Sequence, residues 1–352
     1  MKYLFFTVLM IAFLWFDWAK AEPLPAPDIQ WKSIELDAGR LARVLSKPYN
    51  GMIIDTHVHF LKGLDDGGVP EVLEKIANAK VSRVLVLPTP NEGINRYKQA
   101  NASERRRFVE LGGEAAGRLC STTELTTWMD NANRDGYSET DWQERLGRLK
   151  DDLENQNCLG IGEIGPYHFA KKPGMAEIKF PFNFKPMMDV VALAAAKQVP
   201  LDVHAEPMTA DGKSYEQKIF SGIALWFAKY PNLKLILSHS AMTNSTNLRA
   251  LFIKYPRLMV NFKIVKIGGN LLWDRLQPIT NLDLALFEDW ALLMEEFPDR
   301  FMIGTDSRFG SEQYQGKRYR RNIKKIRQIL GSLNKKAAKQ IAYKNAERVF
   351  GN

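Results

Sequence analysis

Short apolar runs alternate with stretches whose apolar residues recur every three or four positions. The first kind of pattern predicts buried strands and the second amphipathic helices. "GMIIDTHVHF" opens the series at Gly51, and the helical pattern "EVLEKIANAKV" and a second strand "SRVLVLPTP" follow. "RRFVELGG" reads as a third strand, and "CLGIGEIG" as a fourth after the helix "DWQERLGRLKDDLENQ". "VPLDVHAEP", "LKLILSHS", "LMVNFKI" and "RFMIGTDS" then form strands five to eight, each preceded by a helical segment. "KKAAKQIAYKNAERVF" is the last helix.

Strands that alternate with helices pair in parallel, because parallel neighbours need a crossover connection. Eight such units suit an α/β fold of the closed (β/α)₈ barrel (TIM barrel) type. An open doubly wound sheet is the rival. The barrel is expected over residues 51–352, with residues 22–50 wrapping it. The polar stretch from Asn91 to Asn157 interrupts the alternation and is expected to be an inserted loop or small subdomain.

The first 21 residues do not belong to this pattern. Lys2 is followed by an apolar run from Tyr3 to Phe16 and by Ala19-Lys20-Ala21, a small-x-small cleavage pattern. This is the plan of a secretory leader cut after Ala21. The run is shorter than the roughly 20 residues a membrane-spanning helix needs. The mature chain is therefore expected to be soluble, with no membrane partner, in a periplasm or outside the cell. An oxidising compartment permits a bridge between the two cysteines, Cys120 and Cys158, but their distance cannot be read from sequence. The net charge is +9, much of it in "KRYRRNIKKIR". Ile323, Ile326 and Leu330 recur there at helical spacing, so the run reads as a solvated helix face rather than a nucleic-acid footprint.

The chain has five histidines, His57, His59, His168, His204 and His239. Four of them fall at the ends of predicted strands one, five and six. Glu163 sits at the end of the fourth strand and Asp306 at the end of the eighth. Active sites of such barrels form at that rim. Side chains two apart on a strand point the same way, so His57 and His59 can share one metal ion. His204 adds a third nitrogen and Asp306 an anionic oxygen. Glu163 and His239 can complete a second position, with the carboxylate bridging. Imidazole with carboxylate suits zinc best, with iron, nickel or manganese as alternatives. A divalent ion with an open position lowers the pKa of water from about 15.7 toward roughly 7. Asp306 would then accept the water's proton.

At these residues the sequence resembles the amidohydrolase superfamily. "DTHVH", "HAE", "SHS" and "GTDS" are similar to its motifs on strands one, five, six and eight. "EEFPDRFMIGTDS" is especially similar to the amidohydrolase-related group, which includes aminocarboxymuconate-semialdehyde-type decarboxylases and lactonases. The resemblance implies a metal-dependent hydrolase on a (β/α)₈ barrel. It implies His57, His59, His204 and Asp306 as metal ligands, with His239 as a second-site ligand or a catalytic residue. Where many relatives carry a modified lysine on strand four, this chain has Glu163, as in the TatD-type nucleases. That departure leaves one ion or two open.

His168, Lys263 and Arg308 are candidates for substrate binding, the last two at loops where barrels hold anionic groups. Tyr167 and Trp273 are candidate pocket walls. The expected activity is hydrolysis of a lactone, ester or amide in a small substrate, which an anionic group would suit. Metal-dependent decarboxylation of an unsaturated acid and a TatD-like phosphodiesterase are the alternatives. No basic run interleaved with aromatics lies near the expected mouth, so no nucleic-acid partner is expected.

Overall fold

The computed structural model describes residues 41–60, 68–88, 102–120, 125–155, 158–170, 177–264, 279–281, 283–309 and 317–351. The leader, residues 22–40 of the wrapping segment and Trp273 lie outside the described residues.

The strands that form the barrel are β1 (Ile54–Phe60), β2 (Arg83–Val86), β3 (Ala116–Arg118) and β4 (Ile161–His168). They continue, after the short β5 (Ile178–Lys179), with β6 (Pro200–Ala205), β7 (Lys234–Leu237), β8 (Met259–Phe262) and β9 (Phe301–Ile303). Their spatial order is β3-β2-β1-β9-β8-β7-β6-β4. The neighbours along this path pair in parallel, for example Asp202 opposite Ile236 and Asn261 opposite Met302. β5 adds an antiparallel pair to β4. β10 (Ser307–Phe309) runs parallel to the upper half of β1.

The two ends of this order meet. Cys120, just past β3, forms a parallel bridge with Ile161. Its N–H donates to Gly160 O at 2.8 Å, and its carbonyl accepts from Gly162 N at 3.0 Å. A disulfide between Cys120 and Cys158, with Cα atoms 5.4 Å apart, crosses the same seam. The sheet is therefore a closed barrel, as the alternation of patterns predicts.

Helices α1 (Gly68–Asn78), α2 (Ala102–Gly112), α3 (Leu125–Asp135) and α4 (Glu139–Asn155) lie among the first four strands. α5 (Lys185–Lys197), α6 (Glu216–Lys229), α7 (Ser245–Lys254) and α8 (Glu288–Glu296) follow, each leading into the next barrel strand. The chain ends with α9 (Lys317–Gly331), α10 (Lys335–Lys339) and, after one π turn, α11 (Asn345–Phe350).

"RRFVELGG" is not a strand. It belongs to α2, where Arg105 and Phe108, three residues apart, are both buried. The true third strand, "AGR", is short and lacks β-branched or aromatic residues, so nothing in its composition signals a strand. The described residues of the 91–157 region thus supply α2, β3, α3 and α4 to the barrel.

α9 places Ile323, Ile326 and Leu330 in the core and Arg320, Arg321 and Lys324 in solvent, as its spacing predicts. Residues Ala346 and Phe350 of α11 pack with Ile54, Ile236, Met259 and Met302, one from each of four strands. Arg43 ties the described part of the N-terminal segment to α8 through Glu288 (3.0 Å) and Glu295 (2.7 Å). Among the described residues no helix is long and apolar enough to cross a membrane.

Candidate metal centre

The strand period explains which side chains gather. On β6, Leu201, Val203 and Ala205 join the large apolar cluster under the helices. The alternate residues Asp202, His204 and Glu206 therefore face the other side, and all three are buried. β8 repeats the pattern, with Val260 and Phe262 in that cluster and Asn261 and Lys263 opposite. On β1 the register shifts between Asp55 and Val58. Ile54 can thus join the smaller apolar cluster while His57 and His59, of opposite parity, face the centre.

Glu163 is the hub. Its Oε2 lies 3.4 Å from His57 Nε2 and 3.7 Å from His59 Nε2. Its Oε1 lies 2.8 Å from His204 Nδ1 and 3.7 Å from His239 Nε2. Asp306 spans the same gap, with Oδ1 3.1 Å from His59 Nε2 and Oδ2 3.9 Å from His239 Nε2. Lys263 Nζ donates to Asp306 Oδ2 at 2.6 Å. All six sequence-predicted ligands converge, although Glu163 sits near the start of β4 rather than its end.

Two residues of this set occupy left-handed backbone, His239 at φ 60° and Asp306 at φ 52°. Such conformations cost roughly 1–3 kcal/mol each and persist where surrounding contacts hold them. Here the Asp306 N–H donates to His57 O at 2.9 Å, and the His239 N–H donates to Asn261 Oδ1 at 3.0 Å.

Beneath them lies a polar floor. Asn261 Nδ2 donates to Asp202 Oδ2 at 3.0 Å and lies 3.3 Å from His57 Nδ1. Ser238 Oγ donates to Asp202 Oδ1. Sequence reading missed Asp202, Asn261 and Glu206. The signal was available, since each lies two residues from a candidate on the same strand face.

The electrostatics follow from burial against partners. Burial opposes a charge on His57, yet Glu163 and then Asp202 hold it well above its ordinary value. Burial opposes the Glu163 carboxylate, but His57 and His204 pull it well below the usual range. Burial likewise opposes Asp306, and Lys263 and His59 outweigh it, so Asp306 stays ionised. His239 is pushed well down by burial and then by Lys263, which leaves a neutral imidazole.

These donors fit a divalent cation. His59 Nδ1 donates to Leu87 O at 2.9 Å, so in the neutral ring Nε2 carries a lone pair. That lone pair lies 3.2 Å from His57 Nε2 and 3.1 Å from an Asp306 oxygen. A divalent cation among these atoms would replace the proton that His57 carries in the metal-free centre, because imidazole nitrogens and carboxylate oxygens are its usual ligands. The donor atoms of His57, His59 and Glu163 lie within 4.8 Å of one another, as do those of Glu163, His204 and His239.

The secondary candidates divide. His168 ends β4, is buried, and its ring lies 5.1 Å from that of His204. Lys263 reaches the centre through Asp306. Arg308 lies on β10 opposite His59 in register and is half-buried, and among the described residues no contact joins its side chain to the histidines. Tyr167 packs in the apolar cluster with Phe169 and Tyr215 and does not wall the centre.

A closed parallel barrel with imidazoles and carboxylates gathered at strand ends defines a metal-binding enzyme of the amidohydrolase superfamily type. The sequence model of the family described as "Amidohydrolase" matches residues 174–351. The chain belongs to that family. It is similar in structure to an uncharacterised TIM-barrel protein from Bordetella bronchiseptica, with TM-score 0.52 and 11% identity over 85% of this chain and 98% of that one. It is similar to a candidate amidohydrolase from Staphylococcus aureus, with TM-score 0.51 and 10% identity over 86% and 100% of the two chains. It is also similar to a 2,6-dihydroxybenzoate decarboxylase, with TM-score 0.51 and 10% identity over 86% and 99%. No curated protein matches the chain in sequence.

Proposed function

We propose that the protein is a hydrolase that binds two divalent cations, zinc foremost, and cleaves a C–O or C–N bond in a lactone, ester or amide of small size. The observation that carries this reading is the division of labour at Glu163. One oxygen faces the β1 histidines and the other faces His204 and His239. A carboxylate shared in this way suits a bridge between two ions, with His57, His59 and Asp306 on one side and His204 and His239 on the other.

The cations would supply Lewis acidity and make water at the centre easier to deprotonate. Asp306 is ionised and able to accept that proton. Lys263, 2.6 Å away, favours the carboxylate form and so disfavours retention of the proton, which eases its transfer to a leaving group. Neutral His239 has a buried Nδ1 without a hydrogen-bond partner among the described residues. In a catalytic role this ring would donate to an oxyanion that develops on the substrate. Arg308 at the rim would attract a substrate carboxylate. The Cys120–Cys158 bridge supports the expectation of a periplasmic or secreted protein.

Decarboxylation is the rival chemistry on this fold. The test pairs elemental analysis of wild type, His57→Ala and Glu163→Gln with product analysis on lactones and aryl esters. Two equivalents of metal in wild type, fewer in both variants, and hydrolysis abolished by chelation are expected. Release of carbon dioxide without uptake of water, or a wild type that retains no metal, overturns the proposal.

A further inference from the structure

His204 differs from the other imidazoles of the centre. His57, His59 and His239 face Glu163 through Nε2, and His204 faces it through Nδ1. Its Nε2 points away, toward Glu206 Oε1 at 3.2 Å. The other oxygen of Glu206 accepts the Phe169 N–H at 2.7 Å, and His168 Nε2 lies 3.9 Å from Oε1. Glu206 is 5% exposed, so its carboxylate is desolvated and held by these donors.

We infer that Glu206 is a positioning residue for metal binding: it accepts Nε2–H from His204, fixes the tautomer with the Nδ1 lone pair directed at the centre, and locks the ring's rotation. The inference rests on the metal reading above and deepens it. The alternation of β6, continued into the residue after it by the Glu206 N–H bond to Tyr167 O, places Asp202, His204 and Glu206 on one face, so the segment that presents the candidate ligand presents its orienting carboxylate. An imidazole flipped by half a turn about Cβ–Cγ would put Cδ2 where Nδ1 now faces Glu163 and Cε1 where Nε2 now faces Glu206, and both contacts would be lost. The fixed bond from Phe169 N–H, on the chain after β4, sets where the Glu206 carboxylate sits and so which orientation prevails. Such outer partners typically contribute 10–100-fold to metal affinity.

The test is chelator-competition measurement of zinc affinity for wild type, Glu206→Ala and Glu206→Gln, together with the visible spectrum of each protein loaded with cobalt(II). Circular dichroism of the metal-free proteins checks their fold. Glu206→Ala is expected to bind zinc 10–100-fold more weakly, at unchanged stoichiometry, with an altered cobalt spectrum. Glu206→Gln offers an acceptor to only one of its two donors and is expected to fall between. If the alanine variant does not fold, the glutamine variant decides by the same readouts. Wild-type affinity in the variants overturns the inference alone. Loss of one equivalent of metal also overturns it, because Glu206 is then a ligand. A wild type that binds no metal overturns the metal reading and this inference with it.

Discussion

Lys263 Nζ lies 2.6 Å from Asp306 Oδ2, with both side chains largely buried. One residue comes from the end of β8 and the other from the turn after β9. The pair sets the charge state of the residue proposed to take up a proton, and it also compensates a buried carboxylate.

Lys263→Met is expected to destabilise the metal-free protein by about 3 kcal/mol, because it leaves Asp306 buried without its cation. Added zinc should narrow that gap, since a cation at the centre takes over part of the compensation. Thermal melts with and without chelator check this. An equal loss in both conditions would show that Lys263 acts on packing rather than on the Asp306 charge.

Gly304 precedes the Asp306 turn, and a Cβ there would lie 2.8 Å from both Asn261 Cγ and His57 Cβ. Gly304→Ala should cost roughly 1–3 kcal/mol of stability through overpacking. It should also weaken metal binding, because the side chains that must move are a candidate ligand and the floor beneath it. Denaturant titration and metal competition on one preparation would show whether the two losses travel together.

The Cys120–Cys158 bridge closes a loop of sequence separation 38 and spans the β3–β4 seam. Cys120→Ser with Cys158→Ser is expected to lose about 2–4 kcal/mol of stability. Because β4 carries Glu163, the double variant should also bind metal more weakly. Unchanged unfolding of wild type under reducing and oxidising conditions would contradict the first expectation.

Acid should release the N-terminal clamp. The bond from Arg43 holds Glu295 below its ordinary carboxylate value, against burial, which raises it. A depressed folded-state value contributes stability that is present above the unfolded value, near pH 4.5, and is lost as pH falls through the folded one. In Arg43→Met that contribution is absent at neutral pH. The stability gap between variant and wild type should therefore shrink as pH drops below about 4.5, the same unfolded-state value. Urea unfolding at stepped pH measures it, and a gap that widens in acid would refute the assignment.

The fold was legible where periodicity was strong. Helices α5 to α9 and strands β6 to β9 coincide with their patterns because alternation and helical spacing are local properties of the chain. β3 was not legible, since three residues without branched or aromatic side chains carry no local signal. The flanking "RRFVELGG" is apolar enough to pass for a strand until Arg105 and Phe108 are seen buried on one helix face.

What the sequence by itself determined is a set of candidate donors: His57, His59, Glu163, His204, His239 and Asp306, each in a strand or within a few residues of one, in an order that convergence at a barrel mouth explains. Only the tertiary structure decided how those donors are held. Glu163 divides its oxygens between two pairs of imidazoles, Lys263 spends its charge on Asp306, and Glu206 meets the outer Nε2 of His204, whose Nδ1 faces inward. Each of these is a contact between side chains on different strands or along one buried face. Its existence depends on barrel closure and strand register, and no local pattern of residues encodes either.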